Sequence, residues 1–232
     1  MTIQIKTIQV TGFQQNARIL IDSASRDAIL VDPGGQAELI FEISQKSQAN
    51  VSRIFLTHAH LDHAGGIAST VRIWQERLGV NLELLSCGEK EQMMRGSIAQ
   101  QAILFGFSAK EFEDAPEPDL ILKEGDKVSL GDSVGTVLET PGHAPGHLSL
   151  YFPEQQIVVD NSKPMSAPWL IAGDALFQGS IGRTDLPGGD HQTLIRSIKT
   201  KLLVLPESTI VMPGHGPDTT VGAEKRSNPF LR

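Results

Sequence analysis

Five of the chain's seven histidines fall in three short segments: Thr57-His58-Ala59-His60-Leu61-Asp62-His63, Thr140-Pro141-Gly142-His143 and Met212-Pro213-Gly214-His215. In extended chain leaving a strand, side chains at i, i+2 and i+4 project the same way, so His58, His60 and Asp62 are expected to converge, with His63 beside them. The Pro-Gly pairs set His143 and His215 on turns just past apolar segments, where a ring can face a cleft while the scaffold fixes its backbone. Asp174 has the same character, since it follows the apolar run Trp169–Ala172 and Gly173. Packing gives no reason to gather four strong ligand types between His58 and His63. Five imidazoles and two carboxylates exceed the four ligands that close a structural zinc site, which points to two divalent metal ions. Two such ions roughly 3.5–4 Å apart lower the pKa of a shared water from 15.7 toward about 7, the chemistry of hydrolysis at neutral pH.

The surrounding pattern supplies strand ends to carry these residues. Short apolar strands are expected at 3–10, 17–22 and 28–31, then a turn at Asp32-Pro33-Gly34-Gly35 and a helix over 37–48. A strand at 53–57 runs into the histidine cluster, and Gly65-Gly66 precede an amphipathic helix over 67–78. Helices suit 89–112, followed by a loop at Asp114–Pro118. The second half repeats this grammar, with strands at 119–123, 127–130, 134–140, 147–152, 156–159 and 208–212 and a helix over 191–203. Two strand-rich halves, each followed by helix, suggest two packed sheets with helices outside.

Composition narrows the class. The chain has 232 residues, enough to bury a core as one domain without disulfides. Lysine and arginine total 20 against 27 acidic residues, a net charge of −7, with no basic run and only 5% aromatic residues. That argues against a partner in nucleic acid or an anionic membrane. The single cysteine, Cys87, rules out an intramolecular disulfide framework and suits a reducing compartment, so a cytoplasmic location is expected. The N-terminal segment alternates like an edge strand and lacks the features of a signal peptide.

With these residues in place, the chain resembles the metallo-β-lactamase-fold hydrolases, whose His-x-His-x-Asp-His signature is met by His58, His60, Asp62 and His63. His143, Asp174 and His215 match, in order, the family's third histidine, bridging aspartate and last histidine. The resemblance implies a four-layer αββα sandwich, two packed mixed β-sheets with helices on the outer faces. It also implies that His58, His60 and His143 hold one metal, that Asp62, His63 and His215 hold the other, and that Asp174 bridges them. Zinc is expected at both, with iron or manganese as alternatives, and Asp62 is given the further role of orienting the hydroxide.

Within the family, Gly173–Phe177, Gly179–Asp185 and the tail Asn228-Pro229-Phe230 resemble the short bacterial glyoxalase II-like subgroup, the YcbL type. That subgroup implies hydrolysis of the glutathione thioester S-D-lactoylglutathione. Long glyoxalase II enzymes continue into a helical glutathione-binding domain, whereas only seventeen residues follow His215 here (232 − 215), so a single domain over 1–232 is expected. Lactamases proper usually carry a cysteine where this chain has Asp174 and are exported, which turns the reading away from β-lactams. The segment 182–185 also resembles the persulfide dioxygenases, which use one iron held by two histidines and an aspartate; here these would be His58, His143 and Asp174. A third reading, metals that only hold loops together, would need closed four-ligand sites.

Several residues are assigned more modestly. Thr57, Asp32 and Asp185 are candidates to hold the outer nitrogens of the ligand rings, although Asp32 is equally a turn residue. Arg183 either binds a substrate carboxylate or pairs with Asp185 to stiffen its loop. His147 and His191 are read as structural, Cys87 as a buried inert thiol, and the Gly131-x-Ser133-x-Gly135 match as a hairpin turn rather than a nucleophile elbow.

Overall fold

The computed structural model describes residues 2–232. An antiparallel meander opens the chain, with β1 (Thr2–Val10), β2 (Gln15–Asp22) and β3 (Asp27–Val31). Helix α1 (Ala37–Lys46) then returns the chain to β4 (Asn50–Phe55), parallel to β3. The one-turn α2 (Leu61–Ala64) and the longer α3 (Ile67–Leu78) lead to β5 (Glu83–Ser86), parallel to β4. Helices α4 (Glu89–Arg95) and α5 (Ile98–Leu104) lead to the short β6 (Leu120–Ile121). The second half contains the hairpin β7 (Lys127–Leu130) and β8 (Ser133–Glu139), then β9 (Leu148–Val159) and β10 (Met165–Gly173). A small hairpin, β11 (Leu176–Phe177) and β12 (Ser180–Ile181), precedes α6 (His191–Ser197). The chain closes with β13 (Ile210–Pro213), β14 (Thr219–Thr220) and α7 (Val221–Ser227).

Alternation along the strands sorts side chains into three cores, which define four layers. Ala17, Ile19 and Ile21 of β2 face outward against Ile40 of α1, Ile67 and Trp74 of α3 and Ile98 of α5. Leu20 points the other way, into a central core where Ile29, Val31 and Phe55 meet Leu150, Phe152, Trp169 and Ile171 of the second sheet. Leu170 and Ala172 of β10 and Val211 of β13 face the third core, against Leu194, Ile198 and Val221. The order is therefore helix, sheet, sheet, helix, as the sequence resemblance implied. No helix among the described residues is long and apolar enough to cross a membrane.

The β11–β12 hairpin, β14 and α7 are not among the sequence expectations, and three further elements differ from them. Residues 147–152 and 156–159, read as two strands, form the single strand β9. Pro153 and the polar residues after it resemble a turn, but a register shift between Ala167 and Trp169 of β10 absorbs the proline as a bulge. The first part of β9 pairs with β8 and its last residues pair in parallel with Thr2–Ile5 of β1, so this one strand hydrogen-bonds the two sheets together. Strand β5, four residues long, was not anticipated between residues 78 and 89 because it is too short to show alternation. The helix expected over 191–203 changes after Ser197 into a π-helical turn, Ile198–Leu202.

At the centre, Trp169 stacks on Phe152 with ring centroids 4.1 Å apart and planes 6° from parallel, both fully buried. Trp169→Ala is expected to lower the unfolding free energy by about 3–5 kcal/mol in urea denaturation. Trp169→Phe, which keeps a stacked ring, should cost far less.

Candidate metal centre

All five motif histidines and both aspartates lie at one edge of the two sheets. After β4 the chain bends at Thr57 and passes through non-helical residues to His60, which is extended (φ −70°, ψ 153°) and leads into α2. The His58 and His60 rings converge as expected, with centroids 4.7 Å apart, but Asp62 does not reach the site from extended chain. Asp62 and His63 instead sit side by side in the single turn of α2, so helical rather than strand geometry brings them to the site. His143 lies in the turn between β8 and β9, closed by the Thr140 amide donating to the His147 carbonyl at 2.8 Å. Asp174 follows β10, and His215 follows β13. The turn residue Gly214 has no room for a side chain, because a Cβ there would stand 2.2 Å from Asp174 Oδ1 and 2.6 Å from His63 Cε1. Gly173 adopts φ +49° with His147 and Thr57 packed against it, a conformation that favours glycine.

Two groups of donor atoms result. In the first, His143 Nε2 stands 3.1 Å from His58 Nε2 and 2.9 Å from His60 Nδ1. In the second, Asp62 Oδ2 stands 3.0 Å from His215 Nε2 and 3.9 Å from His63 Nε2. Asp174 lies between, with Oδ1 at 3.3 Å from His63 Nε2, and Oδ2 at 3.6 Å from His143 Nε2 and 3.5 Å from His215 Nε2. Four ligands at the usual zinc bond lengths are about 3.3 Å apart, and these spacings are of that size. His63 Nε2 and Asp174 Oδ1 are buried and face each other at 3.3 Å without a well-formed hydrogen bond, and neither has another partner in the protein, an arrangement that a cation between them would complete. The cluster is therefore able to bind metal ions, in three-residue groups that include His58/His60/His143 and Asp62/His63/His215.

Outer hydrogen bonds fix four of the five rings. His58 Nδ1 meets Thr57 Oγ1 at 3.0 Å, and His63 Nδ1 meets Asp32 Oδ2 at 2.9 Å. His143 Nδ1 lies 2.7 Å from the Arg183 carbonyl, and His215 Nδ1 lies 3.2 Å from the Phe13 carbonyl. Asp32 also accepts from the Thr57 amide and hydroxyl, each at 2.7 Å, and is buried at φ +47°. Aspartate is one of the few residues that tolerate this backbone. Of the three candidates for outer contacts, Thr57 and Asp32 make them, whereas Asp185 is exposed and chelates the Arg183 guanidinium at 2.7 and 2.8 Å. His147, read as structural, is fully buried and more involved than that: its Nε2 accepts from the Asp174 amide at 3.0 Å while Nδ1 meets Thr140 Oγ1. Cys87 is buried as expected, and burial pushes its thiol up to about 12.

The two groups differ electrostatically. Burial pushes His58 well below the usual imidazole value, and the His63, His60 and His143 rings act the same way. Burial takes His60 down to about 3 and lowers His143 as well. For His63, burial acts downward, but the carboxylates of Asp174, Asp62 and Asp32 outweigh it and hold the ring well above its usual value. His215 is raised too, since its bond to Asp62 and the charge of Asp174 overcome burial. Burial works to raise Asp62 and Asp174, yet His63 beside both holds them below the usual carboxylate range.

The cluster opens into a cavity of about 390 Å³, walled by Phe13, Phe105, Phe177, Leu186 and Arg183. The β11–β12 hairpin that carries Phe177 is pinned by α7 and the tail, with buried Glu224 accepting from the Gly179 amide at 2.9 Å and Asn228 donating to the Ser180 carbonyl at 2.9 Å. Asp32→Asn, which keeps the backbone tolerance but removes the charge behind His63, is expected to weaken metal affinity about 10–100-fold. Metal retained after dialysis against a competing chelator measures this.

Similarity to known proteins agrees with this geometry. The family model of the metallo-beta-lactamase superfamily matches residues 10–159 and 165–215. Hydroxyacylglutathione hydrolase GloC of Haemophilus influenzae is 39% identical over 230 residues, covering 99% of this chain and 98% of its own. Among solved structures, BLEG-1, described as a B3 metallo-beta-lactamase, aligns with a TM-score of 0.79 at 35% identity over 98% of this chain and 99% of its own. TTHA1623, solved in a di-iron-bound form, aligns with a TM-score of 0.76 at 32% identity over 97% and 99%. By its sequence, its layered fold and its histidine and aspartate cluster, the chain belongs to the metallo-beta-lactamase superfamily.

Proposed function

We propose that the protein is a metal-dependent hydrolase of the glyoxalase II type, cleaving S-D-lactoylglutathione to D-lactate and glutathione. The observation that carries this reading is the convergence of five imidazoles and two carboxylates into two adjoining donor groups that share Asp174. The full-length similarity to a hydroxyacylglutathione hydrolase supports the choice of substrate. We read the chain as one domain over 1–232, acting in the cytoplasm on a small-molecule thioester.

His58, His60 and His143 would hold one ion and Asp62, His63 and His215 the other, with Asp174 between them; zinc is the first choice, and the di-iron relative keeps iron in view. When bound, such a pair supplies a nucleophilic hydroxide at neutral pH and Lewis-acid polarisation of a carbonyl. Asp62 Oδ2, facing the pocket beside His215, accepts a hydrogen bond from the attacking water and sets its direction. Phe13, Phe105 and Phe177 offer the acyl group an apolar wall. Arg183, on the pocket wall, gives two guanidinium nitrogens to Asp185, the pairing that stiffens its loop, and only its remaining nitrogen is assigned to a substrate carboxylate.

Two other reactions are set against this one. A mononuclear iron dioxygenase would use only His58, His143 and Asp174, leaving the gathering of Asp62, His63 and His215 unexplained. A β-lactam is favoured by the likeness to BLEG-1, and the same site would then attack an amide instead of a thioester.

Metal analysis of the purified protein, run beside three assays, tests the reading: loss of thioester absorbance, oxygen uptake with glutathione persulfide, and turnover of a chromogenic β-lactam. About two ions per chain with thioester loss is the expected result. Chelation should abolish the rate and added zinc restore it, and His215→Ala should lower both occupancy and rate, the rate at least about 100-fold. About one iron with oxygen uptake, or β-lactam turnover without thioester loss, overturns it.

A further inference from the structure

We propose that Glu91 is a positioning residue for the metal centre, a buried carboxylate that fixes the His58–His60 segment against the His143 loop. This rests on the reading of His58, His60 and His143 as ligands of one ion. Glu91 lies on α4 with no solvent exposure. Its Oε2 accepts from the Ala59 amide at 2.9 Å and its Oε1 from the Gly146 amide at 2.7 Å. Ala59 lies between His58 and His60, and Gly146 lies three residues past His143 and directly before His147. One carboxylate thus spans two segments that are remote in sequence and that must agree in position if His143 Nε2 is to stand 2.9 and 3.1 Å from its two partners.

The neighbouring contacts are consistent with a dedicated brace. Arg95, one turn further along α4, directs its guanidinium to the Cys87 and Gly88 carbonyls and to Glu117. Glu91 therefore serves the two loop amides rather than closing an ion pair on its own helix. Gln101 of α5 completes the support, accepting from the Leu61 amide at 2.9 Å and donating to the Ala59 carbonyl at 3.1 Å. Carboxylate-to-amide bonds of this kind are charge-assisted and directional, and leaving either buried amide unanswered is costly. Gly146 is shaped for the contact, since a Cβ there would stand 2.8 Å from Glu91 Cγ and 2.2 Å from Cys87 Sγ. Metal sites lose function when ligands drift by a fraction of an ångström, and here the drift is resisted from outside the sheet.

Cobalt(II) titration of the full chain, read by calorimetry and by the visible d–d spectrum, separates positioning from simple anchoring. Glu91→Gln keeps one acceptor but turns an amino group toward the other loop amide. It is expected to weaken one of two ions about 10–100-fold and to shift that ion's d–d bands, with the second ion and the far-ultraviolet circular dichroism unchanged. Glu224→Gln, which disturbs a comparable buried carboxylate behind the β11–β12 hairpin, should leave both ions as in the wild type. If Glu91→Gln does not fold, Gly146→Ala displaces the same contact from the loop side and is read in the same way. Wild-type affinities and spectrum in the variant, or equal weakening of both ions, overturn the proposal. A wild-type chain that binds one ion overturns the two-ion reading alone when Glu91→Gln still weakens that ion; a chain that binds none overturns both.

Discussion

The nitrogens of His58, His60 and His143 face one another at about 3 Å in a buried setting, where each pair has at most one proton to share and protonating more than one ring sets like charges together. Their lone pairs and charges favour separation, and the protein must spend structural rigidity to hold them until a cation answers the charge. That requirement accounts for much of the architecture. The donors project from strand ends and tight turns, four of the five rings are gripped at their outer nitrogen, and the turns have lost side chains where any atom would collide with the cluster.

The two halves of the site meet that requirement differently. Around His58, His60 and His143 burial outweighs the nearby carboxylates and keeps the rings neutral. Around His63 and His215 the carboxylates of Asp62, Asp174 and Asp32 dominate. One half therefore presents neutral nitrogen and the other mixed nitrogen and oxygen, a difference in donor softness within one cluster. Asp174 is the hinge between them, and its backbone amide is itself held by His147.

How much of this could be read from the sequence follows from where each group gets its geometry. That these seven residues gather is legible because they recur in short motifs at strand ends, and α3 is expected at its observed limits because its amphipathic period is unbroken from Ile67 to Leu78. Asp62 was placed in extended chain because the spacing from His58 invites it, whereas the helix starting at Leu61 is only one turn and leaves no periodic trace. Asp32 reads as an ordinary turn residue until the fold brings His63 and Thr57 against it. Glu91 and Gln101 were invisible, lying in a polar helical stretch with no motif, and their meaning arises only from partners tens of residues away. The two expected strands that fuse into β9 are separated by Pro153, which is tolerated because Pro153 and Glu154 together oppose the single residue Pro168 of β10, a bulge that local sequence does not record.

The pairing of β1 with the end of β9 also sets a timetable. Thr2 lies beside Gln156 in the finished sheet, so on a ribosome the first strand must wait for more than half of the chain before its outer edge is covered. Contacts of such sequence separation form slowly, and an N-terminal sheet with an open edge is the kind of intermediate that associates with other chains. The same delay applies to the metal donors, since His58 and His60 emerge long before His143 and His215. The cluster of this protein can therefore assemble during synthesis only once His215 has left the ribosome.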